Sequence, residues 1–223
     1  KPAVACLTFA AVFCAAAFVA ALTVGYIRTS AALKLAEENA QVADSTLSQV
    51  FRRIAEQPPT KKNAELLSTL LPYYRTIAGR RGLPPERLRE ANAIIGECSM
   101  RTGSYSLATE AFAANADLHD PASLNRLAEA LKADGQAEVA TKYSHQVVNS
   151  FADSGIPGER FEAVRALLSL SASPESPEGK RAFRMLEQLL AEDSANPEYR
   201  FQYARLLGAN PRLFRELRIP GVE

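Results

Sequence analysis

Gly103 opens the stretch "GSYSLATEAF", and the small residues placed around it constrain the fold more than any other feature of the chain. A helix often ends on a glycine, because glycine enters the left-handed conformation at little cost. Gly96 lies seven residues before this turn, Ala108 five after it and Phe112 nine after it. Such spacing puts Gly96 and Ala108 on facing sides of a helical hairpin. The missing side-chain bulk lets two backbones approach there, and the aromatic fills the gap above. The pattern returns 32 residues later: Gly135 takes the turn, Leu127-Ala128 match Ile95-Gly96, and Ala140 matches Ala108. Ala137 and Ser144 depart from it, standing where the first copy has Tyr105 and Phe112, with Tyr143 beside the latter. A looser third pair, "RFEAVRALLSL" and "KRAFRMLEQLLAE", flanks the longer "SASPESPEG", with Ala182 as its close-packing position. "NPEYRFQYARLL" then reads as one more first helix or a cap.

The rest of the chain is helical as well. Apolar residues recur with a period near 3.6, and no alternating β-branched run suggests a sheet. Leu66, Leu67, Leu70, Leu71, Tyr74 and Ile77 form one stripe, with Pro72 as a possible kink, and Pro84-Pro85 starts a helix running to about Thr102. Between Arg28 and Gln57 there is no Pro or Gly. Within that segment Leu33, Ala36, Ala40, Ala43, Leu47, Val50 and Ile54 follow a 3-4 spacing. Two readings fit: an amphipathic helix packed on its own domain, or a coiled coil joining two copies as a homodimer through residues 33–54. Ahead of it, residues 3–27 carry no charge over 25 positions, between Lys1 and Arg28. A bilayer-crossing helix needs about 20 such residues. The stretch therefore reads as a single membrane anchor, with a signal peptide or a buried helix as alternatives.

Composition excludes several functions. The chain has 26 basic and 25 acidic residues, so no overall field favours nucleic acid. Three cysteines give no disulfide framework, and Cys98 reads as a buried thiol. His119 and His145 stand in no metal-ligand spacing, and no nucleophile elbow, phosphate loop, H-R-D or D-F-G occurs. No catalytic, cofactor-binding or metal-ligating residue is expected. The densest charge, Arg75, Arg80, Arg81, Arg87 and Arg89, reads as a solvated connector, or as a patch for an acidic partner, anionic lipid or nucleic acid.

The two copies in register and the third in outline, together over residues 89–208, resemble tetratricopeptide repeats, helix pairs of about 34 residues. Three phrases carry a second resemblance: "EENAQVADSTLSQVFRRIAEQ", "AELLSTLLPYYRTIAG" and "AEDSANPEYRFQYARLL". They are similar to the region that follows the membrane helix in large bacterial transmembrane serine/threonine protein kinases bearing such repeats. That resemblance implies a kinase domain upstream of Lys1 and repeats on the extracytoplasmic side. Arg28 and Lys34 against Lys1 point weakly the other way.

The expected fold is all-α: a single transmembrane helix (1–28), a juxtamembrane helix (29–57) and a helical connector (58–88). A tetratricopeptide-like right-handed array of antiparallel helix pairs (89–217) completes it. The expected function is a membrane-anchored, non-catalytic scaffold, binding a protein or peptide in the repeat groove through Asn92, Arg101, Asn125 and Lys132. Tyr105 and Phe112 are assigned to the core. The alternative is the sensory or dimerising region of a receptor kinase.

Overall fold

The computed structural model describes the backbone of residues 2–55, 57 and 60–209; the side chains of residues 2–22, 24, 37, 41, 44, 55 and 209 lie outside that description. Every regular element among the described residues is an α-helix. The chain divides into two compact units, residues 1–58 and 59–223.

The first unit is one helix, α1 (Pro2–Ala55), of 54 residues. At 1.5 Å per residue it is about 80 Å long. Its described side chains are mostly exposed, Leu33 at 61% and Val42 at 65% included, and only Ser48, Phe51 and Ile54 are buried. The buried stripe therefore shares only Ile54 with the heptad seam expected from sequence.

Among the described residues no helix is long and apolar enough to cross a membrane. That finding overturns the transmembrane anchor expected over residues 3–27 and the single-pass membrane localisation built on it. The physical reason lies in the side chains that are described. From Gly25 onward α1 carries Arg28, Lys34 and Glu38 in the open, far short of about 20 apolar residues in a row. Residues 3–22 of the apolar run lie outside the described side chains.

The second unit holds α2 (Lys61–Ala78), α3 (Pro85–Thr102), α4 (Tyr105–Asn115), α5 (Pro121–Ala133), α6 (Ala137–Phe151), α7 (Pro157–Leu170), α8 (Pro177–Glu192) and α9 (Pro197–Ala209). Consecutive helices pack on one another, and α5 also touches α7. Five of them begin on a proline, whose fixed φ suits a first helical position and whose missing N–H costs nothing there. Asp120 and Ser176 add side-chain caps to α5 and α8, and Thr60 caps α2.

Both glycine turns form as expected. Gly103 and Gly135 have φ of 78° and 83°. Gly103 N–H donates to Met100 O and Ser104 N–H to Ser99 O; Gly135 N–H donates to Lys132 O and Gln136 N–H to Leu131 O. The same two bonds thus close both turns, one repeat apart. A Cβ on Gly96 would stand 2.4 Å from Cε1 of Phe112, so the ring lies directly on the glycine. Ala108 is fully buried with Phe112, Leu127, Ala130, Leu131 and Ala140. Tyr105 is a correction: at 39% exposure it lies outside the core, because it occupies the first turn of α4. Further along, Leu124, Val147, Val164, Leu167, Leu186 and Leu189 build a second core. Phe161–Tyr199 and Phe183–Tyr203 ring pairs, with centroids 4.8 and 5.0 Å apart, tie α9 to α7 and α8.

Candidate functional site

With α3–α4, α5–α6 and α7–α8 as hairpins, the first helices are α3, α5, α7 and α9. Each begins on a proline, and the spacing from Pro85 to Pro121 and from Pro121 to Pro157 is the same (121 − 85 = 36; 157 − 121 = 36). This common start sets corresponding residues side by side. Asn125 meets Glu162 and Lys132 meets Ser169, each 37 residues apart, and Glu129 meets Arg165, 36 apart.

Toward the C-terminal ends of α5, α7 and α9 these helices line an open groove of about 440 Å³. Its lining is Glu129, Lys132 and Ala133 from α5, Arg165, Leu168 and Ser169 from α7, and Gln202 and Arg205 from α9. Arg165 stands between two carboxylates, with Nη2 3.1 Å from Glu129 and Nη1 3.1 Å from Glu162. Partial burial works against the guanidinium's charge, but Glu162 and Glu129 outweigh it, and its pKa rises above the ordinary value. Asn125 Nδ2 donates to Glu162 O at 2.8 Å and to Glu162 Oε2 at 2.7 Å. The network Asn125–Glu162–Arg165–Glu129 therefore fixes α5 against α7 below the groove.

Above it the polar groups are less committed. Lys132 Nζ donates to Ser169 O at 2.9 Å and leaves two of its three protons free. Arg205 is exposed and forms no ion pair or hydrogen bond among the described residues. Gln202 is half-buried, and its Oε1 is a buried acceptor with no partner. Buried polar atoms in folded proteins are almost always paired; among the described residues Ser99 Oγ, Thr109 Oγ1 and Arg160 Nε share this lack with it.

The four residues expected from sequence are scattered. Lys132 lines the groove. Asn125 is buried at 3% exposure in the network beneath it. Asn92 is half-buried on α3; its Nδ2 donates to Asn115 Oδ1 at 3.3 Å, and Asn115 Nδ2 donates to Arg89 O. It borders a separate small cleft with Arg75, Leu107 and Glu110. Arg101 lies half-buried in the last turn of α3. Glu129, Arg165, Gln202 and Arg205 escaped the sequence reading, although the 36-residue proline spacing would have aligned Glu129 with Arg165.

Neither histidine joins this groove. His119 N–H donates to Asp117 Oδ1 in the exposed α4–α5 loop, and His145 is exposed on α6. Cys98 is fully buried, and burial, reinforced by Glu97 and opposed by Arg101, pushes its thiol up to about 12. It stays protonated and unreactive at neutral pH. Among the described residues no cluster of His, Cys, Asp and Glu could hold a metal ion.

No family model matches the chain, and no curated protein matches it. Among solved structures, the nearly identical TPR-like repeats of a Podospora anserina protein described as a kinesin light chain are similar over 77% of this chain and 89% of that one. The TM-score is 0.48 and the identity 19%. The repeat architecture rests on the chain's own geometry: matched glycine turns, Phe112 seated on Gly96, and first helices joined residue to residue. On those grounds residues 85–209 form a tetratricopeptide-like helical repeat region.

Proposed function

We propose that the repeat region is a scaffold that binds an extended protein or peptide segment in the groove of α5, α7 and α9. The observation that carries this reading is the division of labour on those helices. Their apolar faces, Leu124, Val164 and Leu206 among them, are buried in the core, while Glu129, Lys132, Gln202 and Arg205 converge on one open concavity. Repeat arrays bind through such continuous surfaces. Selection of a random dodecapeptide display library on the full chain tests it. Selected peptides should lose binding when Ala133→Arg fills the groove and keep it when the exposed Ala113 of α4 is changed to Arg. Peptides indifferent to Ala133→Arg place recognition elsewhere.

The three phrases that resemble serine/threonine protein kinases motivate a second reading, in which the array reads a ligand for a kinase domain in the same polypeptide. Pairing of copies along Leu33, Ala36, Ala40, Ala43, Leu47 and Val50 belongs to it. A Gly-rich loop, H-R-D and D-F-G in the same reading frame would sustain this reading, and a frame without them removes it.

A further inference from the structure

The small cleft bordered by Asn92 lies where the last turn of α2 meets the middle of α3 and one face of α4, and it shares no lining residue with the groove of α5, α7 and α9. We propose that it binds a small zwitterion, an aliphatic α-amino acid. The carboxylate sits on Arg75, the ammonium on Glu110 and Asn92 Oδ1, and the side chain against Ile95, Leu107 and Ala111.

Opposite charges border this cleft without meeting. Arg75 and Glu110 are both exposed, and neither forms an ion pair or a side-chain hydrogen bond among the described residues. A molecule carrying both charges matches the two at once, and it breaks no existing pair to enter. The amide beside them is already oriented. Asn92 Nδ2 donates to Asn115 Oδ1 at 3.3 Å, and Asn115 Nδ2 donates to Arg89 O at 2.6 Å. That chain commits Asn92 Nδ2 to Asn115 and leaves Oδ1 as an acceptor with no hydrogen bond among the described residues. An ammonium carries three donors and no acceptor, which suits a carboxylate and an amide oxygen together. The floor between the charges is aliphatic: Ile95 and Ala111 are buried, and half-buried Leu107 lies one turn before Ala111 on α4. Size narrows the ligand further. The cleft measures about 180 Å³, and at about 30 Å³ for each water it holds roughly six water-sized groups. An amino acid with a short side chain fills that space, and a peptide overruns it.

The probes are L-valine, N-acetyl-L-valine and L-valinamide, titrated into the full chain and followed by saturation-transfer NMR. L-Valine should bind saturably, with the strongest transfer to its methyl groups. Blocking either end should weaken binding at least about tenfold, because each block removes a charge-assisted contact. Arg75→Gln should erase the advantage of L-valine over L-valinamide, and Glu110→Gln its advantage over N-acetyl-L-valine. Both side chains are exposed, so these changes leave the core untouched. Ala114→Phe fills the cleft from an exposed position and should abolish binding, whereas Ala113→Phe, exposed beside it but outside the lining, should not. Ala133→Arg, which blocks the peptide groove, should leave L-valine binding unchanged, so the two sites stand or fall separately. Equal binding of the three probes overturns the assignment, as does L-valine binding that survives Ala114→Phe or is lost with Ala133→Arg. Absence of saturable binding at tens of millimolar L-valine overturns it as well.

Discussion

The α3–α4 and α7–α8 hairpins bring two helices together by opposite means. In α3–α4 the turn is two residues long, Gly103 supplies the left-handed backbone, and Gly96 yields its side-chain volume to Phe112. In α7–α8 six residues connect the helices, and none has a positive φ. There the loop folds back: Ser171 Oγ donates to Ser173 O, Ser176 Oγ accepts from Gly179 N–H, and the two serine hydroxyls lie 2.9 Å apart. A Cβ on Gly179 would stand 2.6 Å from the carbonyl oxygens of Ser173 and Pro174. One hairpin thus puts its glycine in the turn, and the other puts it under the turn. The fold asks for a close approach of two chains, and leaves open which residue makes room.

The hardest test of that equivalence is the pair Ala108→Leu and Ala182→Leu. Both alanines are fully buried at the contact of their hairpin. Each substitution adds three carbons, and overpacking costs about 1–3 kcal/mol. Ala113→Leu, exposed on α4, should cost only a few tenths by propensity. Urea midpoints with unchanged slopes give the comparison. If Ala182→Leu proves as harmless as Ala113→Leu, α7–α8 is not built like α3–α4.

Gly179→Ala should come next, at about 1–2 kcal/mol, because its clash is with backbone carbonyls that cannot rotate away. A neutral result by the same melts would show that the serine loop, unlike a glycine turn, gives way freely.

The smallest effects should come from Gly103→Ala and Gly135→Ala, about 1 kcal/mol each for a Cβ in the left-handed region. The two values should agree, since the same pair of hydrogen bonds closes both turns. Gly155→Ala, with no positive φ and nothing near its Cβ, should be neutral or slightly stabilising. Unequal costs at the two turns would break the identity of the first two hairpins.

Local punctuation made the repeats legible. Pro85, Gly103 and Gly135 each act on their own backbone, so their effect can be read without knowing a neighbour. What depends on a neighbour was not legible. Tyr105 looked like a core residue and is exposed, because the orientation of α4 is set by its contacts with α3 and α5. Asn125 is polar and on a first helix, as a groove residue should be, yet Glu162, 37 residues away, draws it beneath the groove. Arg165 and Arg205 gain their meaning only from partners on other helices, one by having them and the other by lacking them.

The aromatic pairs that hold α9 bear on how a partner would be felt. Each helix of the array leans mainly on its immediate neighbours. Such an assembly opens from its ends, and amide hydrogens there exchange with solvent sooner than those in the middle. α9, seated by Tyr199 on Phe161 and Tyr203 on Phe183, also supplies Gln202 and Arg205. A segment seated in the groove would latch α9, the last helix among the described residues, to α5 and α7, slowing deuterium uptake along α9 far more than along α3. Occupancy would then register as a change in how long the array's last turn stays closed.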